Sequence, residues 1–234
     1  PTLEHICMHN WGEPLLHKDI FKMFDYAHQS GVKYIVMNTN GTLLNEKMIN
    51  KIVESPLNII RFSIDGSAET FKKIRGVELA NIEANIIRLK QLKETQRPDL
   101  SMGVVFTVDE ETQQDIDEYI KYWSTIVDHV RIQPKLIQSP RKEPCPEPFG
   151  KEYGKLVILW DGTVIPCCVD YNAALKVGNA KTEKVSDLWG YGKIDTLRYQ
   201  HEKGAYPKTC INCNECNVSK THKRFFFEET QEVI

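Results

Sequence analysis

Residues 34–66 read YIVMNTNGTLLNEKMINKIVESPLNIIRFSIDG, and this stretch decides the fold. Short apolar runs at 34–37 and 58–64 flank the segment 45–54, whose apolar residues recur at helical spacing. The pattern predicts a strand, a helix and a second strand. Strands joined by a helix run parallel, because the helix returns the chain to the end at which the first strand began. The stretch therefore predicts one unit of a parallel α/β fold.

The same alternation extends along the first half of the chain. Strands are predicted at residues 3–8, 34–37, 58–64, 100–108 and 129–133, and helices at 18–30, 45–54, 79–95 and 112–125. This order predicts a parallel sheet with covering helices, either open and doubly wound or curved into a partial barrel. In both arrangements, ligands bind beyond the C-terminal ends of the strands.

Composition excludes several classes of function. The 234 residues include 30 Lys and Arg and 32 Asp and Glu, so the formal net charge is -2 and nucleic acid is not an expected partner. No apolar run approaches the ~18 residues of a membrane span, so no membrane partner is expected either. The sequence shows no secretory signal at its start, which favours a cytoplasmic location.

A proline-rich segment at residues 139–150 interrupts the α/β pattern. We place a domain boundary there, which gives one domain of residues 1–138 and another of residues 139–234. In the second domain, apolar residues on both sides of Asp161-Gly162 predict a β-hairpin, because Asp-Gly forms tight turns. We therefore expect a small α+β fold for this domain.

Polar residues follow three successive predicted strands. They are Gly12, Glu13 and Pro14 after the first strand, Thr39 and Asn40 after the second, and Ser63 and Asp65 after the third, with Arg75 a short way beyond. Each segment alone is explained by turn chemistry, but three such ends on one edge of a sheet favour a binding face. There the Glu13 carboxylate can accept hydrogen bonds from a ligand ammonium group. Arg75 can bind a ligand carboxylate or remain a solvated surface residue.

Cysteines are concentrated in the second domain. Six of the seven lie there: Cys145, Cys167, Cys168, Cys210, Cys213 and Cys216. Such clustering in a chain without a secretory signal indicates metal or iron–sulfur ligation. Four thiolates suit zinc as well as a cluster, but a zinc ribbon usually has two C-x-x-C pairs and only Cys210 and Cys213 form a clear one, which favours a cluster. Cys7, isolated in a predicted strand, is interpreted as a small core residue.

These segments, in their order and spacing, resemble the radical S-adenosylmethionine (SAM) superfamily, specifically its members with a C-terminal SPASM or twitch domain. The resemblance is carried by residues 10–16, 39–42, 63–66 with Arg75, 145–146, 161–167 and 210–213. It implies a partial (β/α)6 barrel of the TIM type, followed by a small auxiliary-cluster domain. Gly12-Glu13-Pro14 matches the family's GGEP motif in part, because Trp11 stands where the first glycine is expected.

The resemblance also implies ligands. Its SAM-binding residues are Gly12, Glu13, Pro14, Thr39, Asn40, Ser63, Asp65 and Arg75, with Glu13 at the amino group and Arg75 at the carboxylate of the methionine moiety. Its ligands for one auxiliary four-iron four-sulfur (4Fe-4S) cluster are Cys145, Cys167, Cys210 and Cys213. The family spacing from Gly162 selects Cys167, whereas the residues alone leave Cys167 and Cys168 open.

The sequence departs from the family at its defining motif. No C-x-x-x-C-x-x-C loop is present, and the first predicted strand corresponds to the second strand of the family's barrel. We therefore expect the first strand, its loop and a second 4Fe-4S cluster to belong to a segment that precedes Pro1. We expect this chain alone to be inactive, and no residue in it is assigned to catalysis.

The implied function is that of a radical SAM enzyme of the oxidoreductase or maturase type. In its intact form it would reductively cleave SAM to a 5′-deoxyadenosyl radical, which abstracts hydrogen from a peptide, protein or sugar-type substrate. An electron donor such as flavodoxin or ferredoxin is the implied partner. Two alternatives remain open: a non-catalytic relative that binds a peptide or protein, and a structural zinc-binding protein.

Overall fold

The computed structural model describes residues 3–110, 112–135, 140, 144–145, 148, 154–213 and 223–226. The chain forms two compact units. The first comprises Pro1–Lys135 together with Thr221–Ile234, and the second comprises Leu136–Lys220. The C-terminal residues therefore belong with the first unit, although they follow the second unit in sequence.

The first unit is built on five parallel strands that stand side by side in chain order. They are β1 (His5–Cys7), β2 (Tyr34–Thr39), β3 (Ile59–Ser63), β4 (Ser101–Val108) and β5 (His129–Pro134). A doubly wound sheet reverses its strand order, whereas right-handed crossovers between successive neighbours place every helix on the same face. The sequential order therefore confirms the barrel-type arrangement of the predicted α/β fold.

Five α-helices connect the strands. They are α1 (Ile20–Gln29), α2 (Glu46–Glu54), α3 (Ala68–Arg75), α4 (Leu79–Gln96) and α5 (Ile116–Trp123). Single turns of 3-10 helix at Pro14–Leu16 and Gln113–Asp115 precede α1 and α5. Among the helices that the structure describes, none has the length and apolar character needed to cross a bilayer.

Side-chain caps fix where α2 and α3 begin. Asn45 Oδ1 accepts a hydrogen bond from Met48 N (3.0 Å), and Ser67 Oγ accepts one from Thr70 N (3.3 Å). Both satisfy backbone donors that a first helical turn leaves unpaired. The sequence analysis did not predict α3, because Phe71 is its one buried residue and no apolar periodicity marks it.

The helices and one face of the sheet enclose the hydrophobic core. Ile35 and Met37 of β2 pack there with Phe62 of β3 and Phe106 of β4, against helix residues such as Phe24. Since side chains alternate along a strand, the intervening residues point to the opposite face, which we call the inner face. Its positions are His5, Cys7, Tyr34, Val36, Asn38, Ile59, Arg61, Ser63, Ser101, Gly103, Val105, Thr107, His129, Arg131 and Gln133.

The prediction that Cys7 is a core residue is wrong. Cys7 is exposed, and its neighbour Ile6 packs against the hydrophobic core instead. The reason is the two-residue period of a strand, which sends adjacent side chains to opposite faces. The sequence pattern predicted the strand correctly, but it does not indicate which face of the strand the helices cover.

The second unit contains the predicted hairpin. Strands β6 (Val157–Ile158), β7 (Thr163–Ile165) and β8 (Gly178–Asn179) form an antiparallel sheet, and three short helices follow: α6 (Val185–Gly190), α7 (Lys193–Glu202) and α8 (Lys208–Ile211). Gly162 turns the hairpin with a φ of 86°, and Asp161 Oδ1 accepts a hydrogen bond from Thr163 N (2.9 Å). The predicted Asp-Gly turn is confirmed.

A strand that the sequence analysis did not predict, Lys223–Phe226, completes the sheet of the first unit. It pairs antiparallel with β5, with Val130 opposite Phe225 and Arg131 opposite Arg224. The pairing explains why the C-terminal residues group with the first unit. The two strands are far apart in the sequence and become neighbours only in the tertiary structure. Local sequence patterns therefore cannot reveal their pairing.

Gly103 supplies the space that His129 occupies on the inner face. A Cβ at Gly103 would lie 2.1 Å from His129 Nε2, so Gly103→Ala must displace the imidazole. We expect a loss of about 1–3 kcal/mol in unfolding free energy, measured by urea denaturation. The control is Gly190→Ala, where a Cβ meets nothing within 4 Å and a change below ~0.5 kcal/mol is expected. Equal stabilities of the two variants would show that the ring relaxes at no cost.

Candidate functional site

Glu13 joins the loop after β1 to the end of β2. Its Oε1 accepts hydrogen bonds from Leu15 N (3.0 Å) and Thr39 Oγ1 (2.7 Å), and its Oε2 accepts one from Asn40 N (2.7 Å). The structure thus brings together three residues that the sequence assigned to one site. A carboxylate offers about four lone-pair positions, so these three bonds leave capacity for a ligand donor.

The loop after β2 is held mainly by its own side chains. Thr39 is 2% exposed, and its Oγ1 accepts a hydrogen bond from Gly41 N (3.1 Å). Asn40 Oδ1 accepts hydrogen bonds from the N (2.9 Å) and Oγ1 (2.7 Å) of Thr42. Asn40 therefore stabilises its own turn with its side chain and contacts Glu13 with its backbone.

Asp65 and Arg75 form an ion pair beyond the end of β3. Arg75 Nε donates to Asp65 Oδ2 at 2.7 Å, and Arg75 Nη2 lies 2.5 Å from the same oxygen. Asp65 Oδ1 accepts a hydrogen bond from Thr107 N (3.1 Å), which ties this turn to β4. Asp65 is 3% exposed. In the structure the partner of Arg75 is Asp65, and its assignment to a ligand carboxylate stays a prediction.

The remaining predicted SAM-binding residues lie at the same edge. Gly12 is exposed beside Glu13, and Pro14 is buried at the first position of the 3-10 turn. Ser63 is half-buried at the end of β3 on the inner face, next to Phe62, which is in register with Thr39 of β2. The structure therefore places Glu13, Thr39 and Asn40 in one hydrogen-bonded group and Asp65 and Arg75 in another. Ser63 lies at the end of β3, and Gly12 and Pro14 flank Glu13.

A row of polar residues, which the sequence analysis missed, crosses the inner face. Register places Asn38, Arg61, Gly103 and His129 side by side on β2 to β5. Arg61 Nε donates to His129 Nε2 (3.1 Å) across the glycine, and His129 Nδ1 lies 3.3 Å from Ser101 Oγ. Since Nε2 accepts, the hydrogen-bond pattern places the imidazole proton on Nδ1.

One signal in the sequence could have revealed this row. Arg61 interrupts the apolar run of β3, and His129 and Arg131 alternate with apolar residues in β5. Charged residues are uncommon inside a buried strand unless they have a partner or a function. These positions could therefore have been interpreted from the sequence as part of a site.

His9 follows β1 and contacts β2. Its Nδ1 accepts a hydrogen bond from Asn38 N (3.0 Å). The pKa of His9 is lowered from 6.5 to about 4, first by burial and then by the positive charges of Arg61 and Arg131, while a hydrogen bond with the Val36 backbone raises it. His9 is therefore neutral near pH 7, as its role of acceptor requires.

The low pKa of His9 predicts a pH-dependent stability. Between pH 6.5 and 4 the unfolded chain binds a proton at His9 that the folded chain does not. The free energy of unfolding therefore decreases as the pH falls through this range. His9→Asn keeps an acceptor that does not titrate. We expect wild type to lose about 2 kcal/mol more than this variant between pH 7 and pH 4 in urea unfolding. The control is His28→Asn, at an exposed position of α1, and it should follow wild type. Parallel curves for wild type and His9→Asn would contradict the assignment.

In the second unit, the four cysteines that the resemblance implies as ligands line one cavity. Cys145, Cys167, Cys210 and Cys213 share it with the following residues: Pro148, Pro166, Val169, Leu175, Leu197, His201 and Thr209. Cys168 is half-buried and does not line this cavity. Val169 N donates a hydrogen bond to Cys167 Sγ (3.3 Å). None of the cysteines that the structure describes is in a disulfide. Cys216 lies outside the described residues.

The donor set of this cavity fits an iron–sulfur cluster. Four thiols in an otherwise mostly apolar pocket are the ligands that such clusters take. A single zinc ion would need its thiolates about 2.3 Å from one point. Within the described ranges, no three His, Cys, Asp or Glu side chains are grouped so that they could hold one metal ion.

His201 fixes the backbone of Cys145. Cys145 N donates a hydrogen bond to His201 Nδ1 (3.1 Å), and the imidazole is 1% exposed with its centroid 5.1 Å from that of Tyr206. The contact joins residues 56 positions apart in the chain. The sequence analysis missed His201, since only its place on the buried side of α7 distinguishes it from a surface residue.

Loss of the His201 contact should destabilise the second unit. His201→Ala leaves the buried amide of Cys145 without its acceptor and opens a cavity, so we expect a loss of about 2–3 kcal/mol in unfolding free energy. Urea unfolding of the purified chain measures it. The control on the same helix is Tyr199→Ala, which is 60% exposed and should change stability by less than ~0.5 kcal/mol. A stability equal to that of the control would mean that the contact contributes nothing.

Fold and site together define an α/β protein with a barrel-type sheet, polar residues at the C-terminal ends of its strands and, in its second unit, a cavity lined by four cysteines. A family model of the radical SAM superfamily matches residues 4–122, and the SPASM model, described as an iron–sulfur cluster-binding domain, matches residues 145–216. The chain belongs to the radical SAM superfamily.

Two relatives show how the identity and the matched length vary. The chain is 27% identical over 217 residues to the S-adenosyl-L-methionine-dependent 2-deoxy-scyllo-inosamine dehydrogenase of Niallia circulans, which covers 91% of this chain and 74% of that protein. It is 32% identical over 111 residues to Fe-coproporphyrin III synthase of Methanosarcina barkeri, over 47% of this chain and 27% of that protein. The second match therefore spans about a quarter of the relative.

Solved structures share the fold. BtrN in complex with AdoMet and 2-DOIA aligns with a TM-score of 0.56 at 21% identity, over 90% of this chain and 72% of that one. SuiB of Streptococcus suis bound to S-adenosylmethionine aligns with a TM-score of 0.54 at 15% identity, over 92% of this chain and 60% of that one. At these identities the likeness shows the fold alone.

Proposed function

We propose that the protein is a radical SAM enzyme whose complete form generates a 5′-deoxyadenosyl radical and uses it to abstract hydrogen from a substrate. The observation that carries the proposal is the meeting of four cysteines from three segments of the chain in one cavity of the SPASM region. A non-catalytic binding protein of this fold would have no evident need for a cluster site.

The residues at the strand ends are suited to hold SAM. When bound, SAM and a reduced 4Fe-4S cluster supply one-electron cleavage and a radical that takes a hydrogen atom from the substrate. Glu13 has capacity to accept a hydrogen bond from the methionine ammonium group, and it is held in place by Thr39 and Asn40. Ser63 presents a hydroxyl on the inner face at the same edge, where ligands of barrel-type sheets bind.

Cys145, Cys167, Cys210 and Cys213 are the proposed ligands of the auxiliary 4Fe-4S cluster. Their common cavity and the Val169 N–H donated to Cys167 Sγ support Cys167 rather than Cys168. The 234 residues contain no C-x-x-x-C-x-x-C loop, so none of them is assigned to the cluster that cleaves SAM. A flavodoxin or ferredoxin as electron donor, a peptide, protein or sugar-type substrate, and a cytoplasmic location all stay predictions.

Metal analysis with a matched pair of variants tests the proposal. We expect the anaerobically purified chain to carry about four irons with matching sulfide, and Cys213→Ser to lose them, because one cluster ligand is missing. Cys168→Ser is the control and should retain wild-type iron, since Cys168 does not line the cavity. About one zinc per chain without sulfide would instead mean a structural metal site, and the proposal would be abandoned.

A second assay addresses the radical chemistry itself. The protein including the segment that carries the C-x-x-x-C-x-x-C loop should release 5′-deoxyadenosine from SAM when it is supplied with dithionite. A double cysteine-to-serine substitution in that loop should abolish this product and leave the auxiliary cluster intact. An iron-loaded protein with an intact loop that yields no 5′-deoxyadenosine would favour a non-catalytic role.

A further inference from the structure

A cavity of about 250 Å³ opens between the N-terminal parts of α1 and α2. Its apolar surface comes from the turn before α1 and from both helices, with Leu15, Ile20, Phe21 and Met48. Leu15 and Ile20 are buried, whereas Phe21 and Met48 are half-buried and leave part of their apolar surface open. An apolar group that enters this cavity would be removed from water, which favours its binding.

Three lysines line the same cavity. Lys18 precedes α1, and Lys47 and Lys51 are one turn apart on α2. All three are exposed, and Lys51 Nζ lies 5.4 Å from the centroid of the Phe21 ring. A lysine can cover apolar surface with its stem while its charged end stays in water. The three side chains can therefore surround the apolar surface of the cavity with positive charge.

The charge of these lysines is not compensated at the cavity. None of the described residues that line it is acidic. Residues 17–22 and 45–51 contain two acids, and both are engaged elsewhere: Asp19 pairs with Lys22 (2.9 Å) and Glu46 pairs with Arg88 (2.9 Å). Within the part of the chain that the structure describes, the three lysines form no ion pair. The cavity is therefore complementary to a group that carries negative charge.

The size and the surroundings of the cavity favour a protein segment over a small ligand. Small-molecule sites usually measure about 300–1,000 Å³ and enclose most of their ligand. This cavity is smaller, and its three lysines are exposed, so it suits one side chain of a larger partner. Beside it Leu16 is 73% exposed, between the lining residues Leu15 and His17. Exposed apolar surface with a polar rim is typical of protein–protein contacts.

We propose that this cavity is a docking site for an acidic segment of a partner protein. An apolar side chain of the partner would fill the cavity, and neighbouring aspartates or glutamates would pair with Lys18, Lys47 and Lys51. The buried side chain would supply most of the affinity, while the charges would steer the partner and exclude basic competitors. The inference goes beyond the proposed function, because neither SAM nor a cluster takes part in it.

Fluorescence anisotropy with a synthetic peptide tests the proposal. The probe is a labelled nonapeptide with a central leucine flanked by aspartates and glutamates, titrated with the purified chain. We expect binding that weakens as salt is added, because the Debye length falls from ~30 Å at ~0.01 M to ~8 Å at ~0.15 M salt. Two matched peptides should each bind about tenfold more weakly. One carries asparagine and glutamine in place of the acids, and the other carries serine in place of the leucine.

Charge-reversal variants locate the binding site. Lys47→Glu and Lys18→Glu should each weaken binding of the acidic peptide about threefold to tenfold, since an attraction becomes a repulsion. Lys47→Glu places an acid in the first turn of α2, which the helix dipole favours, so weaker binding does not reflect unfolding. The control is Lys121→Glu, which makes the same change at an exposed position of α5 and should bind the peptide as wild type does.

Three results would overturn the proposal: no binding of the acidic peptide to wild type, equal binding of the neutral peptide, or equal weakening by Lys47→Glu and Lys121→Glu. SAM and inorganic phosphate serve as competitors, because Leu15 N donates a hydrogen bond to Glu13 Oε1 (3.0 Å) next to the cavity. If either displaces the peptide, and Lys47→Glu loses affinity for it by the same factor, the cavity binds a small anion and the proposal is wrong. Failure of the proposed function is distinguishable, since it appears as missing iron or missing 5′-deoxyadenosine.

Discussion

The right-handed crossover between neighbouring parallel strands is the constraint on which the first unit depends. Because β1 to β5 follow one another in chain order, every connection returns over the same face, and all five helices pack there. The apolar side chains of each strand point to that face. The inner face receives the other half, which no connecting helix covers, so it can carry His129, Arg61 and Arg131 without loss of core packing. The division of the sheet into a core face and an inner face thus follows from the connectivity.

Two carboxylates, of the half-buried Glu13 and the buried Asp65, organise the edge where the strands end. Glu13 bonds to the end of β2, and Asp65 bonds to the backbone of β4 and to Arg75. A carboxylate that leaves water needs several strong donors, so each of these groups fixes the loops that supply them. The same hydrogen bonds hold the loops of the proposed ligand site in place. Glu13 holds the loop with three bonds and retains a position at which an ammonium group can donate.

Sequence analysis could predict those parts of the structure that local sequence patterns indicate. All five parallel strands, the Asp161-Gly162 hairpin and the cysteine-rich region were recognisable because apolar runs, turn residues and a C-x-x-C spacing mark them. Helix α3 buries only Phe71, so it lacks an apolar periodicity. The strand Lys223–Phe226 is defined by its pairing with β5, which no local pattern predicts. The burial of Cys7 was predicted wrongly because a strand pattern does not tell which face the helices cover. Arg61 and His201 act through contacts 68 and 56 residues away, which no local pattern contains.

The second unit shows why its cysteines are structural as well as functional candidates. Within the described residues its hydrophobic core contains five buried side chains: Val164, Val177, Leu188, Ile194 and Leu197. So small a core supplies little stability, and small domains usually add a cross-link or a metal site. The four cavity cysteines come from the segment before β6, from the residues just after β7, and from α8 and the residues just after it. A cluster held by all four would cross-link these segments, so its binding free energy would also be folding free energy. The hydrogen bond from Cys145 N to His201 would add to this cross-linking, since it joins the proposed ligand that is most distant in sequence to α7.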